Sequence, residues 1–151
     1  MKSFTHLSLG LLLGVFLWNN DPLIIFAVVF GSLFPDVDYP FSLIGRLSQP
    51  LSFWIHEEFG HRTITHSLTY VLINSLFGLI LKNFYFQYIS LGILSHLLLD
   101  LLTNQGVMLL WPLQTRFILL DGELVTGSKT DYFLGIIFFI TFISSYLLNL
   151  I

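Results

Sequence analysis

The chain has no cysteine among its 151 residues. That excludes a disulfide framework, a thiolate metal site and a cysteine nucleophile. Charge is almost as scarce, at 10% of the residues, where a soluble domain carries about 25%. The six basic residues form no run and the net charge is −3, which argues against a nucleic-acid surface. Internal repeats and low-complexity tracts are also missing. What the chain has is hydrocarbon: 55% hydrophobic residues, 17% aromatic, and a mean hydropathy of +0.83. This is a membrane composition, and the length allows a single integral-membrane domain over residues 1–151. Lys2 and the apolar stretch after it have the look of a signal peptide, but no small-x-small cleavage site follows Trp18, so a retained helix is expected.

Five apolar segments stand out, at 4–18, 22–34, 64–81, 84–102 and 132–151. The last three approach the roughly 20 residues needed to cross a bilayer, while the first two are short or buried spans or a re-entrant hairpin turning at Asn19-Asn20-Asp21-Pro22. The expected fold is therefore all-α: a polytopic membrane bundle of about five apolar helices. Two long connections join them, 35–63 and 103–131, and long connections often carry function. In the second, apolar and β-branched residues flank Asp121-Gly122, the pattern of a small β-hairpin. With the amino terminus inside, Lys2, Arg46, Arg62, Arg116 and Lys129 are cytoplasmic and only Lys82 is outside, so both connections are expected in the cytoplasm.

Ionisable groups in or near a hydrocarbon layer are costly and usually face a cavity, a partner or a metal. On this topology every histidine and three aspartates fall at the cytoplasmic boundary: His6, Asp36, Asp38, His56, His61, His66, His96 and Asp100. His96 and Asp100 are i and i+4, so they share a helix face. Asp36 and Asp38 follow Pro35 and, if extended, project the same way. His61 and His66 converge only if His61 lies before the helix begins, which Gly60 permits. Singly, each has a plainer role: a contact between helices for His6 or His96/Asp100, a turn for Asp36 and Asp38, a solvated loop for His56. Together, His6, Asp36, Asp38, His61, His66, His96 and Asp100 read as the donor set of a metal site. Without cysteine, that site is imidazole and carboxylate, which suits zinc, manganese or iron. Arg62 and Arg116 lie on the same side, where guanidinium can grip a phosphate in two-pronged fashion or anchor to lipid headgroups.

Thr5-His6, Gly31-Ser-Leu-Phe-Pro35-Asp36-Val-Asp38, His61-Arg62-Thr-Ile-Thr65-His66-Ser67 and Gly92-Ile-Leu-Ser-His96-Leu-Leu-Leu-Asp100-Leu-Leu-Thr103-Asn-Gln-Gly106 follow one another in this order. The ordered set, with Trp111-Pro112 and Arg116 behind it, resembles the LexA-binding, inner-membrane-associated metal-dependent hydrolases over about residues 5–116. That family is in turn similar, more distantly, to zinc-dependent phospholipase C and the single-strand nucleases of its fold. The resemblance implies that His96 and Asp100 are ligands, with Asp36 or Asp38 and His6, His61 or His66 completing the shell. The chain lacks the complete ligand set of the soluble enzymes, including their amino-terminal tryptophan.

The function expected from residues and resemblance together is hydrolysis of a phosphoester, lipid-like substrate by a divalent metal, zinc first, at the cytoplasmic face of a bacterial or archaeal inner membrane. Asp36 or Asp38 would serve the attacking water, and Arg62 and Arg116 would bind phosphate. The alternative is a non-catalytic membrane protein that recruits or regulates a cytosolic partner through its long connections. A transporter fits less well, because the outer half of the bundle has almost no polar groups.

Overall fold

The helix boundaries follow from local chemistry. In the computed structural model, which describes residues 1–18, 21–119 and 124–149, helix α1 runs Ser3–Leu17 and α2 Pro22–Leu33. Asp21 caps α2 by accepting from the Leu23 amide at 2.9 Å, and Pro22 takes the first helical position, where its missing N–H costs nothing. Pro35 ends α2, and the chain tightens into a 3-10 turn, Phe34–Asp38. Ser42 caps the short α3 (Leu43–Leu47), and α4 (Gln49–Phe59) stops at Gly60, whose φ of 77° suits glycine. A second 3-10 turn, Ile64–His66, leads to Ser67, the cap of α5 (Leu68–Ile80). Then come α6 (Tyr85–Leu101) and, after a long irregular connection, α7 (Lys129–Asn149).

Two helical hairpins form the frame. α2 packs most extensively on α6, and α1 lies against both α2 and α7, with α5 on the other side of α6. A Cβ on Gly31 would collide with the Ile89 carbonyl, and one on Gly92 with the Val28 carbonyl, so α2 and α6 approach backbone to backbone. At one end Tyr85 donates to Asp21 at 2.7 Å, tying the two hairpin turns together. At the other end the 34–38 and 64–66 turns meet the start of α1 and the end of α6. Asp131, buried at the start of α7, accepts from Thr5 Oγ1 at 2.6 Å and the Lys2 amide at 3.0 Å, which fixes α7 to the start of α1.

The all-α class stands, but two expectations are corrected. One helix among the described residues, α7, is long and apolar enough to cross a membrane, not five. The other apolar segments yield helices of 15, 12, 13 and 17 residues, short of the roughly 20 that a bilayer requires. Segment 64–81 loses its first residues to the 3-10 turn and the Ser67 cap, and 22–34 is cut at Pro35. Much of the apolar surface is spent on packing: α6 buries Ile93, Leu97, Leu99 and Leu101 inside the bundle. No β-hairpin forms among the described residues. Phe117 pairs with Val107 and Leu124 with Thr103 in isolated bridges, while Asp121-Gly122 lies outside the described residues.

Candidate metal centre

His96 sits one helical turn before Asp100 on the buried face of α6. Its Nδ1–H donates to the Ser32 carbonyl at 2.7 Å, which leaves Nε2 bare. His66, at the end of the second 3-10 turn, donates from Nδ1 to Asp38 Oδ2 at 3.1 Å, so its Nε2 is bare too. The two Nε2 atoms face each other at 3.1 Å. Two imidazole lone pairs aimed at one another repel unless a proton or a cation lies between them. Around that point stand Asp36 Oδ1, 3.8 Å from His66 Nε2 and 3.7 Å from His96 Nε2, and Asp100 Oδ2, 3.6 Å from each. Tetrahedral zinc with nitrogen and oxygen ligands sets neighbouring donors about 3.3 Å apart, so this set fits a divalent ion with little movement.

Other buried atoms point the same way. His6, from α1, stacks on His96 with ring centroids 3.6 Å apart, and its Nε2 is 3.4 Å from Asp100 Oδ1. Neither ring nitrogen of His6 has a hydrogen-bond partner among the described residues. Buried polar groups are rarely left so, and metal ligation is one use for such an imidazole. His6, His96 and Asp100 form one possible ligand group, Asp36, His66 and His96 another, and Asp38, His61 and His66 a third.

The third group is knit together by hydrogen bonds on Asp38. Asp38 accepts from His61 Nδ1 at 2.7 Å, the Arg62 amide at 2.9 Å, Thr65 Oγ1 at 2.8 Å and His66 Nδ1 at 3.1 Å, so both its oxygens are engaged. Burial opposes its ionisation, yet the neighbouring His66 and the hydrogen bonds from His61 and His66 prevail and hold the carboxyl well below the usual carboxylate range. Burial in turn pushes the His66 imidazole down, against the pull of Asp38, which favours the neutral ring that a metal needs. A carboxylate fixing the tautomer of a ligand histidine is the usual second layer of such sites.

A profile of YdjM inner membrane proteins matches residues 1–150. The chain belongs to the YdjM inner membrane protein family. It is 33% identical to the inner membrane protein YdjM of Escherichia coli (strain K12) over 130 residues, covering 82% of this chain and 64% of that protein. It is 34% identical to the YvsG protein of Bacillus subtilis (strain 168) over 139 residues, 87% of this chain and 85% of that one. A further Escherichia coli inner membrane protein, YbcI, is 29% identical over 120 residues, 72% and 65% of the two chains. The chain thus spans a little under two thirds of the length of these Escherichia coli relatives. No solved structure matches it. Membership places the chain among inner membrane proteins, and membrane association follows.

In this member of the YdjM family the residues singled out from sequence do come together, in roles that differ from those expected. Asp36 and Asp38 are not extended but lie in a 3-10 turn, where side chains two apart diverge, so Asp36 faces the centre and Asp38 the outer shell. His61 does precede the helix, and it meets His66 through Asp38. Arg62 is no open clamp: it is buried, with Nε and Nη2 each 3.0 Å from Asp100 and Nη1 donating to Thr103 Oγ1 at 2.7 Å. Arg116 is exposed, and among the described residues it makes long bonds to the carbonyls of Gln105 and His61, at 3.4 and 3.5 Å. His56 is not a solvated loop residue; it belongs to α4 and donates to the Asp38 carbonyl at 2.9 Å. Sequence reading missed Ser32, Thr65 and Thr103, and the Met1 amine that contacts Asp100 Oδ1. All three stand inside the ordered motifs, and Thr65 and Thr103 each lie within three residues of a candidate ligand, but no role was read for them.

Proposed function

We propose that the chain is a metal-dependent hydrolase of phosphoesters. The observation that carries this is the meeting of His66 Nε2, His96 Nε2, Asp36 Oδ1 and Asp100 Oδ2 within 3.1–3.8 Å of their neighbours. A cavity of about 250 Å³ opens beside them, lined by Asp36, His61, Arg62 and Lys2. Asp36, His66, His96 and Asp100 are the residues to hold a divalent ion, zinc by donor type, with manganese or iron also suited; His6 stands ready as a further ligand. When bound, such an ion acidifies water toward neutral pH and polarises a phosphoryl oxygen.

The protein's own groups supply the rest. Water adds to phosphorus, the ester P–O bond breaks, and a proton passes to the leaving oxygen. Asp38 is fully hydrogen-bonded and so is a positioning residue, not the base. His61 gives its Nδ1–H to Asp38, which leaves the other edge of the ring for the cavity that it lines, where it can relay the proton. Arg62 neutralises Asp100 from behind, while Arg116, exposed beside His61 at the mouth, is the guanidinium placed to meet phosphate. Lys2, Arg46, Arg62, Arg116 and Lys129 all lie toward the site end of the bundle, with Lys82 at the opposite turn. That asymmetry supports a cytoplasmic-facing site.

The test is metal content by plasma mass spectrometry on purified protein, wild type beside His96→Ala/Asp100→Ala, with release of p-nitrophenol from bis-p-nitrophenyl phosphate as the activity. A stoichiometric divalent metal and metal-dependent release, both lost in the variant, is the expected result. Release that survives in the variant would rule this site out.

A further inference from the structure

The basic residues assign the 35–63 connection to the cytoplasm, yet its surface is not that of a water-facing loop. From Leu43 to Trp54 the one charged residue is Arg46. Leu43 and Leu47, a turn apart on α3, and Leu51, Phe53 and Trp54, in the first half of α4, all stand exposed, Leu47 by 82% and Trp54 by 55%. Single apolar side chains on a surface are ordinary, but so many at one helical corner mark a face that meets a membrane or a partner. Shape decides between the two. Leu51 and Phe53, two residues apart, point to nearly opposite sides of α4, so the apolar surface wraps the corner instead of striping one face. A folded partner covers a face, whereas a fluid covers all sides. The same surface runs on toward α5: Leu51 and Trp54 share an apolar cavity with Tyr70 in the first turn of α5, whose Leu72, Ile73 and Leu76 are exposed in turn. Within the chain, α4 packs on the 34–38 turn and on α3, with no comparable contact to the long helices.

From this we infer that the α3–α4 corner is a wedge inserted into the lipid leaflet on the metal-centre side of the membrane. Leu43, Leu47, Leu51 and Trp54 lie at the acyl boundary, and Arg46 reaches back to lipid phosphates. The exposed Glu57 and Glu58 keep the other end of α4 in water, so the helix enters obliquely. The wedge adjoins the site: Phe41 and Ser42, just ahead of α3, line the polar cavity, and His56 of α4 donates to the Asp38 carbonyl at 2.9 Å. Its insertion therefore holds the cavity mouth at headgroup level instead of out in the cytoplasm. Lipid insertion needs no catalysis, and stands whether or not the metal centre hydrolyses anything.

The chain has no cysteine, so single cysteines can be introduced without clearing a background. Leu43→Cys, Leu47→Cys and Leu51→Cys, each spin-labelled, are compared with Glu57→Cys and Glu58→Cys, and with Ile137→Cys on α7, the helix long enough to cross. The whole chain is used, in nanodiscs of phosphatidylethanolamine and phosphatidylglycerol. The readout is the ratio of collision with oxygen, which concentrates in hydrocarbon, to collision with a nickel chelate, which stays in water. The three leucine positions are expected to give a ratio several times that of the glutamate positions and close to that of Ile137. A ratio at the leucines no higher than at the glutamates puts the corner in water and overturns the wedge. Little collision with either agent means that a second copy of the chain covers the corner, and overturns it as well. Helical circular dichroism matching wild type qualifies each variant, and three separate positions keep one poorly folded variant from deciding the outcome.

Discussion

His66 and His96 point their bare Nε2 atoms at each other across 3.1 Å, and each ring is locked in that tautomer by a different part of the chain. Asp38, at the end of the 34–38 turn, accepts from the His66 Nδ1–H, and the Ser32 carbonyl, in the last turn of α2, accepts from that of His96. The α2–turn unit therefore sets both histidines, although neither belongs to it. Two separate hydrogen bonds are thus spent to expose the same atom twice, the arrangement a metal between the rings would use.

Removing either ring should abolish stoichiometric metal binding. For His66→Ala and His96→Ala the affinity should fall by more than the roughly 10–100-fold typical of outer-shell changes. Competition between the protein and a coloured zinc chelator measures this. If the alanine variants hold zinc as tightly as wild type, the facing nitrogens share a proton instead.

Asp38→Asn tests the outer shell apart from the ligands. Asparagine keeps the size but has one acceptor oxygen where the aspartate uses two, so it cannot serve His61 and His66 together. Zinc affinity should drop about 10–100-fold with the helical content unchanged. An unaltered affinity would mean that Asp38 shapes only the loop.

The same residue predicts a pH dependence of stability. The folded Asp38 carboxyl titrates below its unfolded value of about 3.9. Its contribution is therefore fully present above that value and is lost as the pH falls through the range beneath it. Denaturant titrations from pH 6 downward should show wild type losing stability below about pH 4. Asp38→Asn, already weaker at pH 6, should lack that component of the slope.

Gly92→Ala probes how the frame supports the centre. The new Cβ would strike the Val28 carbonyl and wedge α6 from α2, at a cost of about 1–3 kcal/mol for such overpacking. Because α2 leads into Asp36 while α6 carries His96 and Asp100, zinc affinity should fall with stability. Unfolding midpoints and zinc titrations on the same samples would show whether the two move together.

Much of the centre was legible because its residues keep local order. His96 and Asp100 declare a shared face by spacing alone, and Gly60 marks the break that lets His61 turn back toward His66. The division of labour was hidden. Whether Asp36 and Asp38 diverge depends on a 3-10 turn after Pro35, and an Asp-x-Asp string reads equally well as extended chain. A positive charge does not announce its partner, so Arg62 looked like a phosphate clamp when it answers Asp100. Hydropathy misjudged the spans for a related reason: it weighs carbon without asking whether lipid or another helix covers it. Ser90, Gly92 and Ser95, small residues on the packed face of α6, were the sign that this carbon meets a neighbouring helix.

Arg62 and a bound metal should be partly interchangeable as counter-charges for Asp100. Both Asp100 oxygens lie 3.0 Å from the guanidinium, and both groups are buried. With metal chelated away, Arg62→Ala removes one of two cations on the buried Asp100 carboxylate, the Met1 amine being the other, so the loss should fall short of the roughly 3–5 kcal/mol of a fully broken buried pair. Arg62→Lys keeps the charge but cannot fork across the two oxygens, so it should fall between. Saturating zinc supplies positive charge to the same carboxylate and should recover part of the deficit in both variants. Chemical unfolding in chelator and in zinc, for wild type and the two variants, yields the comparison. Equal deficits with and without zinc would show that Asp100 does not belong to the metal's shell, and the ligand set would then reduce to Asp36, His66 and His96 with His6 as the remaining donor.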